Sequence, residues 1–167
     1  FRSPYSDGTF QTVNVREFVA DVAKTTADKL TITVHSNASL VKMPEMKRAI
    51  QSGQAAIGEI LISVLANEDA MFGFESVPGL ASSYAEARKL HNLAKGAIAA
   101  RLEKQGMMYL YSVAWPPQGI YAKAPIEKLA DLKGTKFRSF NPATARFAQL
   151  IGAVPTTIQV PEIAQDF

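Results

Sequence analysis

The sequence predicts an α/β protein with mostly parallel sheets flanked by helices. Three observations predict it. Short β-branched or apolar runs alternate with stretches of helical periodicity from Phe10 to Val160, Gly and Pro mark most of the junctions, and no internal repeat or low-complexity segment breaks the order. The 167 residues are 47% hydrophobic and 20% charged, which is enough apolar material for a core.

Taken in order, Val15, Phe18, Val19 and Val22 recur at helical spacing between Phe10 and Ala27, and Leu30–His35 is a β-branched strand. Pro44 opens a second helix, with Met43, Met46, Ala49 and Ile50 on one side and Gly53 as its stop. Ala55–Ser63 follows as a buried strand. Ser83 and Glu86 form a capping box for a long helix through Leu90, Leu93, Ala94, Ala97, Ile98 and Leu102, ended by Gly106. Met107–Val113 is the next strand. Trp115-Pro116-Pro117-Gln118-Gly119 excludes regular structure, because paired prolines remove donors and fix the backbone. Beyond it come a strand at Ile120–Lys123, a short helix at Ile126–Leu132, a strand at Thr135–Phe140, a helix at Pro142–Ile151 and a strand at Val154–Val160. A helix opened by Pro161 runs to Phe167 with barely two turns and no cap. The proline pair is the boundary candidate: residues 1–116 are expected to form most of a first lobe, and residues 117–167 the beginning of an incomplete second lobe. Phe1-Arg2-Ser3-Pro4 reads as the tail of a first strand.

Composition narrows the chemistry. There is no cysteine, which excludes disulfides, thiolate catalysis and cysteine metal sites. The net charge of +3 comes from scattered Lys and Arg residues, none of them in a run that resembles a nucleic-acid arm. The longest apolar stretch, Ala55–Ala66, is interrupted by Glu59 and falls short of the ~20 residues of a membrane helix. No signal peptide is present, so the chain is cytosolic or a processed mature form. His35 and His91 have no metal-ligand spacing. No nucleophile elbow, P-loop or dinucleotide fingerprint occurs, and neither metal nor cofactor is expected.

Arg138 is the strongest site candidate. On a strand it shares a face with Phe140, opposite Phe137 and Ser139. Asn141 is a good N-cap and Pro142 suits the first helical position, so a helix N-terminus with free amides lies beside a guanidinium at a strand's carboxyl end. The alternative is a surface arginine paired with a nearby acid. Trp115, the single tryptophan, is either a ligand-facing wall beside Gln118 or a hinge plug. Glu59 interrupts an apolar strand and faces either a cleft or a structural partner. Tyr5–Phe10 is a strand-to-helix loop, a helix cap by its ordinary explanation.

Several stretches in sequence order carry a resemblance: Asn37-Ala38-Ser39-Leu40, Ile50-Gln51-Ser52-Gly53, Trp115–Gly119, Ile126–Arg138 (most specific from Leu129), Gly152-Ala153-Val154-Pro155 and Glu162. Together they resemble the solute-binding proteins of TRAP (tripartite ATP-independent periplasmic) transporters, dicarboxylate-binding type. The resemblance implies a two-lobed periplasmic-binding-protein fold that closes on its ligand like a hinge, and an incomplete second lobe here. It implies that Arg138 pairs with the ligand carboxylate, that Trp115 and Phe10 line the pocket, that Glu59 points into it on the same strand face as Leu61, and that Asn141 contributes at the helix start. At Gln118 relatives place a polar or basic contact. The glutamine departs from the basic version, which favours a monocarboxylate, aromatic or hydroxylated. The implied protein is a monomeric periplasmic receptor in mature form, not an enzyme, that hands an organic acid to TRAP membrane subunits and binds no nucleic acid. An enzyme or a ligand-sensing domain of a regulator on the same fold are the alternatives.

Overall fold

The structure is a computed structural model that describes residues 1–166, with the backbone alone for Gln165 and Asp166. The chain forms two compact units: Phe1–Leu61 with Gln159 onward, and Ile62–Ile158. The boundary expected at Pro116–Pro117 falls inside the second of these.

In the first unit three extended segments run parallel, with Phe1–Ser3 in the middle. Arg2 bridges His35 on one side and Gly58 on the other. Backbone hydrogen bonds of 2.9–3.0 Å join them, among them Ser3 N–H to His35 O and Glu59 N–H to Arg2 O. The connections carry α1 (Phe10–Thr25) and α2 (Met46–Gln51), the latter entered through a 3-10 turn at Met43–Glu45. The order second–first–third makes the central segment a reversal point. The carboxyl ends of such segments are where open α/β sheets take ligands. The strands expected over Leu30–His35 and Ala55–Ser63 shrink to these single bridges. Their common neighbour offers only Phe1–Ser3 for pairing, and a ladder is no longer than its shorter member. The first helix stops at Thr25 rather than Ala27. The Thr26 hydroxyl donates to Val22 O at 2.8 Å, and Ala27 and Asp28 turn left-handed (φ 49° and 60°).

The core of this unit is Val41, Met46, Ala49 and Ala55, with Ile50 and Ile60 packed against it. Gly58 is required there: a Cβ at this position would stand 2.5 Å from Met46 Sδ and 3.1 Å from Ile50 Cδ1.

The second unit contains a β–α–β element: β1 (Lys136–Ser139), α4 (Pro142–Leu150) and β2 (Val154–Thr157), the strands parallel with Arg138 opposite Thr156. Pairing satisfies the alternation read in the sequence. Phe137 turns toward α4, where its ring lies 5.7 Å from that of Phe147, and Ser139 and Ala148 are fully buried. Gly152 ends the helix with φ 75°, which glycine adopts without penalty. Ahead of this element α3 (Tyr84–Glu103) buries Ala94 and Ile98. The Ser83 hydroxyl caps it at Glu86 N–H, and the Glu86 carboxylate reaches back to Ser82 N–H at 2.8 Å. Arg101 ties its last turn to Asp69 at 2.7 Å.

Three sequence expectations fail in this unit. Met107–Val113 and Ile120–Lys123 are not strands, and the helix at Ile126–Leu132 is only a 3-10 turn, Leu129–Leu132. Apolar alternation makes a segment competent for a sheet, but a strand exists only when a second backbone pairs with it, and among the described residues none does. The last helix is a 3-10 turn at Val160–Glu162 continued by α5 (Ile163–Asp166); Phe167 lies outside the described residues. No helix among the described residues is long and apolar enough to cross a membrane.

Gly58→Ala should cost about 1–3 kcal/mol, because the buried Met46 has no room to move aside. Chemical denaturation measures it, and an unchanged midpoint would show that the core there is looser than described.

Candidate functional site

The corner between β1 and α4 is built around Asn141. Its Oδ1 accepts from Thr144 N–H at 2.9 Å, while Nδ2 donates to the hydroxyls of Ser63 and Ser76, both at 3.0 Å. The Thr144 hydroxyl in turn accepts from the amides of Phe140 and Asn141 at 3.1 and 3.2 Å. The expected cap is therefore present, and more complete than expected. Most of the amides that might have served an anion are occupied by capping, as is the Asn141 side chain itself. Arg138 is the cation beside this corner.

Arg138 is half-buried. Its Nε donates to Ile158 O at 3.0 Å, and its guanidinium carbon lies 5.2 Å from the centre of the Phe140 ring. The Ile158 hydrogen bond and the Phe140 ring both orient the planar group.

Ser63 belongs to a second network that sequence reading missed. Its amide and hydroxyl both hydrogen-bond the carboxyl of Glu75, whose pKa is raised, chiefly by burial. The signal available was slight: Glu75 follows Met71–Phe74, a mostly apolar stretch.

In the first unit Glu59 ends the third extended segment. Its Oε2 accepts from the Ser3 hydroxyl at 2.7 Å, and Ser3 Oγ accepts from Tyr5 N–H at 3.3 Å. Burial pushes the Glu59 carboxyl up, and the Ser3 hydrogen bond offsets part of that. Glu59 therefore has a structural partner, Ser3, at the carboxyl edge of these segments. Phe10 opens α1 with 45% of its surface exposed. In the second unit Trp115 is 42% exposed, and Gln118, also exposed, donates to Gly119 O at 3.2 Å. Among the described residues no three His, Asp or Glu side chains converge on a metal-sized site.

Each unit thus has parallel extended segments, and the second places Arg138 on one of them just ahead of a capped helix. The bacterial extracellular solute-binding protein family 7 model matches residues 2–166. The chain belongs to that family, and the TRAP resemblance read from the sequence is borne out. Two solved structures from Bordetella pertussis are close in sequence and shape. DctP7 is 48% identical with a TM-score of 0.96, and DctP6 is 46% identical with a TM-score of 0.94; both are extracytoplasmic solute receptors binding pyroglutamic acid. A marine-metagenome TRAP solute-binding protein specific for pyroglutamate is 39% identical with a TM-score of 0.96. These alignments cover 98–99% of this chain but 54–55% of the other chains, so the chain spans about half the length of those receptors.

Two outcomes test the site's construction. Asn141→Ala removes a cap and leaves two serine hydroxyls short of a donor, which should cost about 1–3 kcal/mol in denaturant titration. For Glu59 the folded pKa lies above the unfolded one. Its neutral form therefore contributes stability below the ordinary carboxyl range, lost as pH rises through the folded value. Stability of Glu59→Gln should fall less from acid to neutral pH than that of the unsubstituted protein, and an identical pH profile would refute the assignment.

Proposed function

We propose that this chain is the ligand-reading part of a periplasmic receptor that captures a small monocarboxylate of the pyroglutamate type and delivers it to the membrane subunits of a TRAP transporter. The observation that carries the reading is Arg138: half-buried, fixed by Ile158 O and the Phe140 ring, and set at a strand's carboxyl end beside a capped helix. Identity of 46–48% to two receptors that bind pyroglutamic acid supports the choice of ligand. Pyroglutamate carries one carboxylate and a neutral lactam, which agrees with a glutamine rather than a cation at position 118.

In this reading Phe10 and Trp115 wall the ligand, and Gln118, Glu59 and Asn141 supply polar edges. Asn141 acts mainly by holding the corner that carries Arg138. The receptor is read as a two-lobed monomer that closes on its solute. The receptor binds without converting the ligand and needs no cofactor.

Truncating one partner of a desolvated charge pair costs about 2–5 kcal/mol. Arg138→Ala in the full-length protein should therefore weaken pyroglutamate binding by roughly 30-fold or more in calorimetry. Unchanged affinity would remove the clamp from the proposal.

A further inference from the structure

Two cations are held in contrasting ways. In the first unit Lys42 Nζ stands 3.3 Å from Glu162 Oε1, at a cavity of about 130 Å³ that Gln159, Val160 and Glu162 help to line. An acid answers that lysine. In the second unit Arg138 Nε donates to Ile158 O at 3.0 Å, and the guanidinium carbon lies over the Phe140 ring, 5.2 Å from its centre. A carbonyl oxygen and a phenyl ring carry no net charge. These two partners orient the guanidinium without neutralising it.

The ring is itself held. Phe140 directly follows β1, where an extended backbone puts its side chain on the same face as Arg138. Its amide donates to Thr144 Oγ1 at 3.1 Å, and the Thr144 amide donates to Asn141 Oδ1 at 2.9 Å. The backbone of Phe140 is thus tied to the first turn of α4, and the residue is half-buried. A phenyl ring placed this way offers a cation its electron-rich face at a fixed position.

An arginine side chain that moves freely gives up many rotamers on meeting a carboxylate, and one already held in place gives up few. The guanidinium keeps its proton in an ion pair, so the ring attracts it before and after a carboxylate arrives. The ring therefore does not compete with the ligand, and the order it imposes precedes binding.

We propose that Phe140 is a positioning residue for the solute carboxylate, acting through Arg138: the negative face of its ring holds the guanidinium in the pose that receives the ligand. The inference rests on the Arg138 clamp proposed above. It adds that affinity depends on the electron density of this ring as well as on its bulk.

The test is calorimetry with pyroglutamate on the full-length protein, with the Phe140 ring carrying none, one, two or three fluorines. Fluorine draws electron density from the ring face, changes its size little and makes it no less apolar. Affinity should fall with each fluorine, to roughly five-fold below the unsubstituted protein at three, at an unchanged melting temperature. Phe140→Leu should lose about as much, and Phe140→Tyr, which keeps the ring face, should bind as the unsubstituted protein does. In an Arg138→Ala background the fluorines should make no difference, because the group that senses the ring is gone. Affinity that stays level or rises across the fluorine series makes the ring a plain apolar wall, and overturns the inference while leaving the Arg138 clamp in place. A fluorine effect that persists without Arg138 overturns it as well. Unchanged affinity in Arg138→Ala alone, or no binding of pyroglutamate by the unsubstituted protein, removes the clamp and this inference with it.

Discussion

The side-chain amide of Asn141 is used on every side: its oxygen by the first turn of α4 and its two hydrogens by Ser63 and Ser76. A buried primary amide is costly to leave unsatisfied, so this bonding admits few alternatives. It sets where α4 begins, just past the end of β1, and Arg138 lies three residues before the capping Asn141. Parallel pairing with β2 then brings Ile158 O within reach of the arginine's Nε. The position of the candidate clamp is therefore a consequence of a cap.

Acidic groups follow a related logic in both units. Glu59 and Glu75 are each crowded by protein and each answered by a serine hydroxyl rather than a cation. A hydroxyl stabilises the carboxylate less than an ammonium would, so both acids hold their protons more tightly than free side chains do. Glu162, at the surface with an amide and a lysine facing it, behaves in the opposite way. Environment decides the ionisation of three residues that look alike in the sequence.

The local features were legible where the physics is local. Asn141-Pro142 after an alternating strand announced the β1–α4 corner, and Ser83 with Glu86 announced the start of α3. Arg138 as a candidate followed from those short-range signals, strengthened by the family resemblance. Strands were less legible, because Leu30–His35 and Met107–Val113 have the right residues and their pairing depends on distant backbone. Ser3 and Ser63 were not legible, and Glu75 left only a slight signal. A serine on a strand carries no mark of the carboxylate it will meet, and Ser3 meets Glu59 across 56 positions. The Lys42–Glu162 pair was hidden for the same reason, although Glu162 had been noticed for its place in the family's order.

The second unit is an unbroken stretch of chain, whereas the first is completed only by residues from Gln159 onward. In folding terms the second unit is an insertion within the first. Its contacts close loops inside one continuous segment, so it can condense as soon as that segment has left the ribosome. The first unit must hold its opening segments available until the chain returns, and contacts such as Lys42 with Glu162 carry the full entropic cost of that wait. The walls supplied by Gln159, Val160 and Glu162 to the cavity beside Lys42 are thus the last part of the first unit to form.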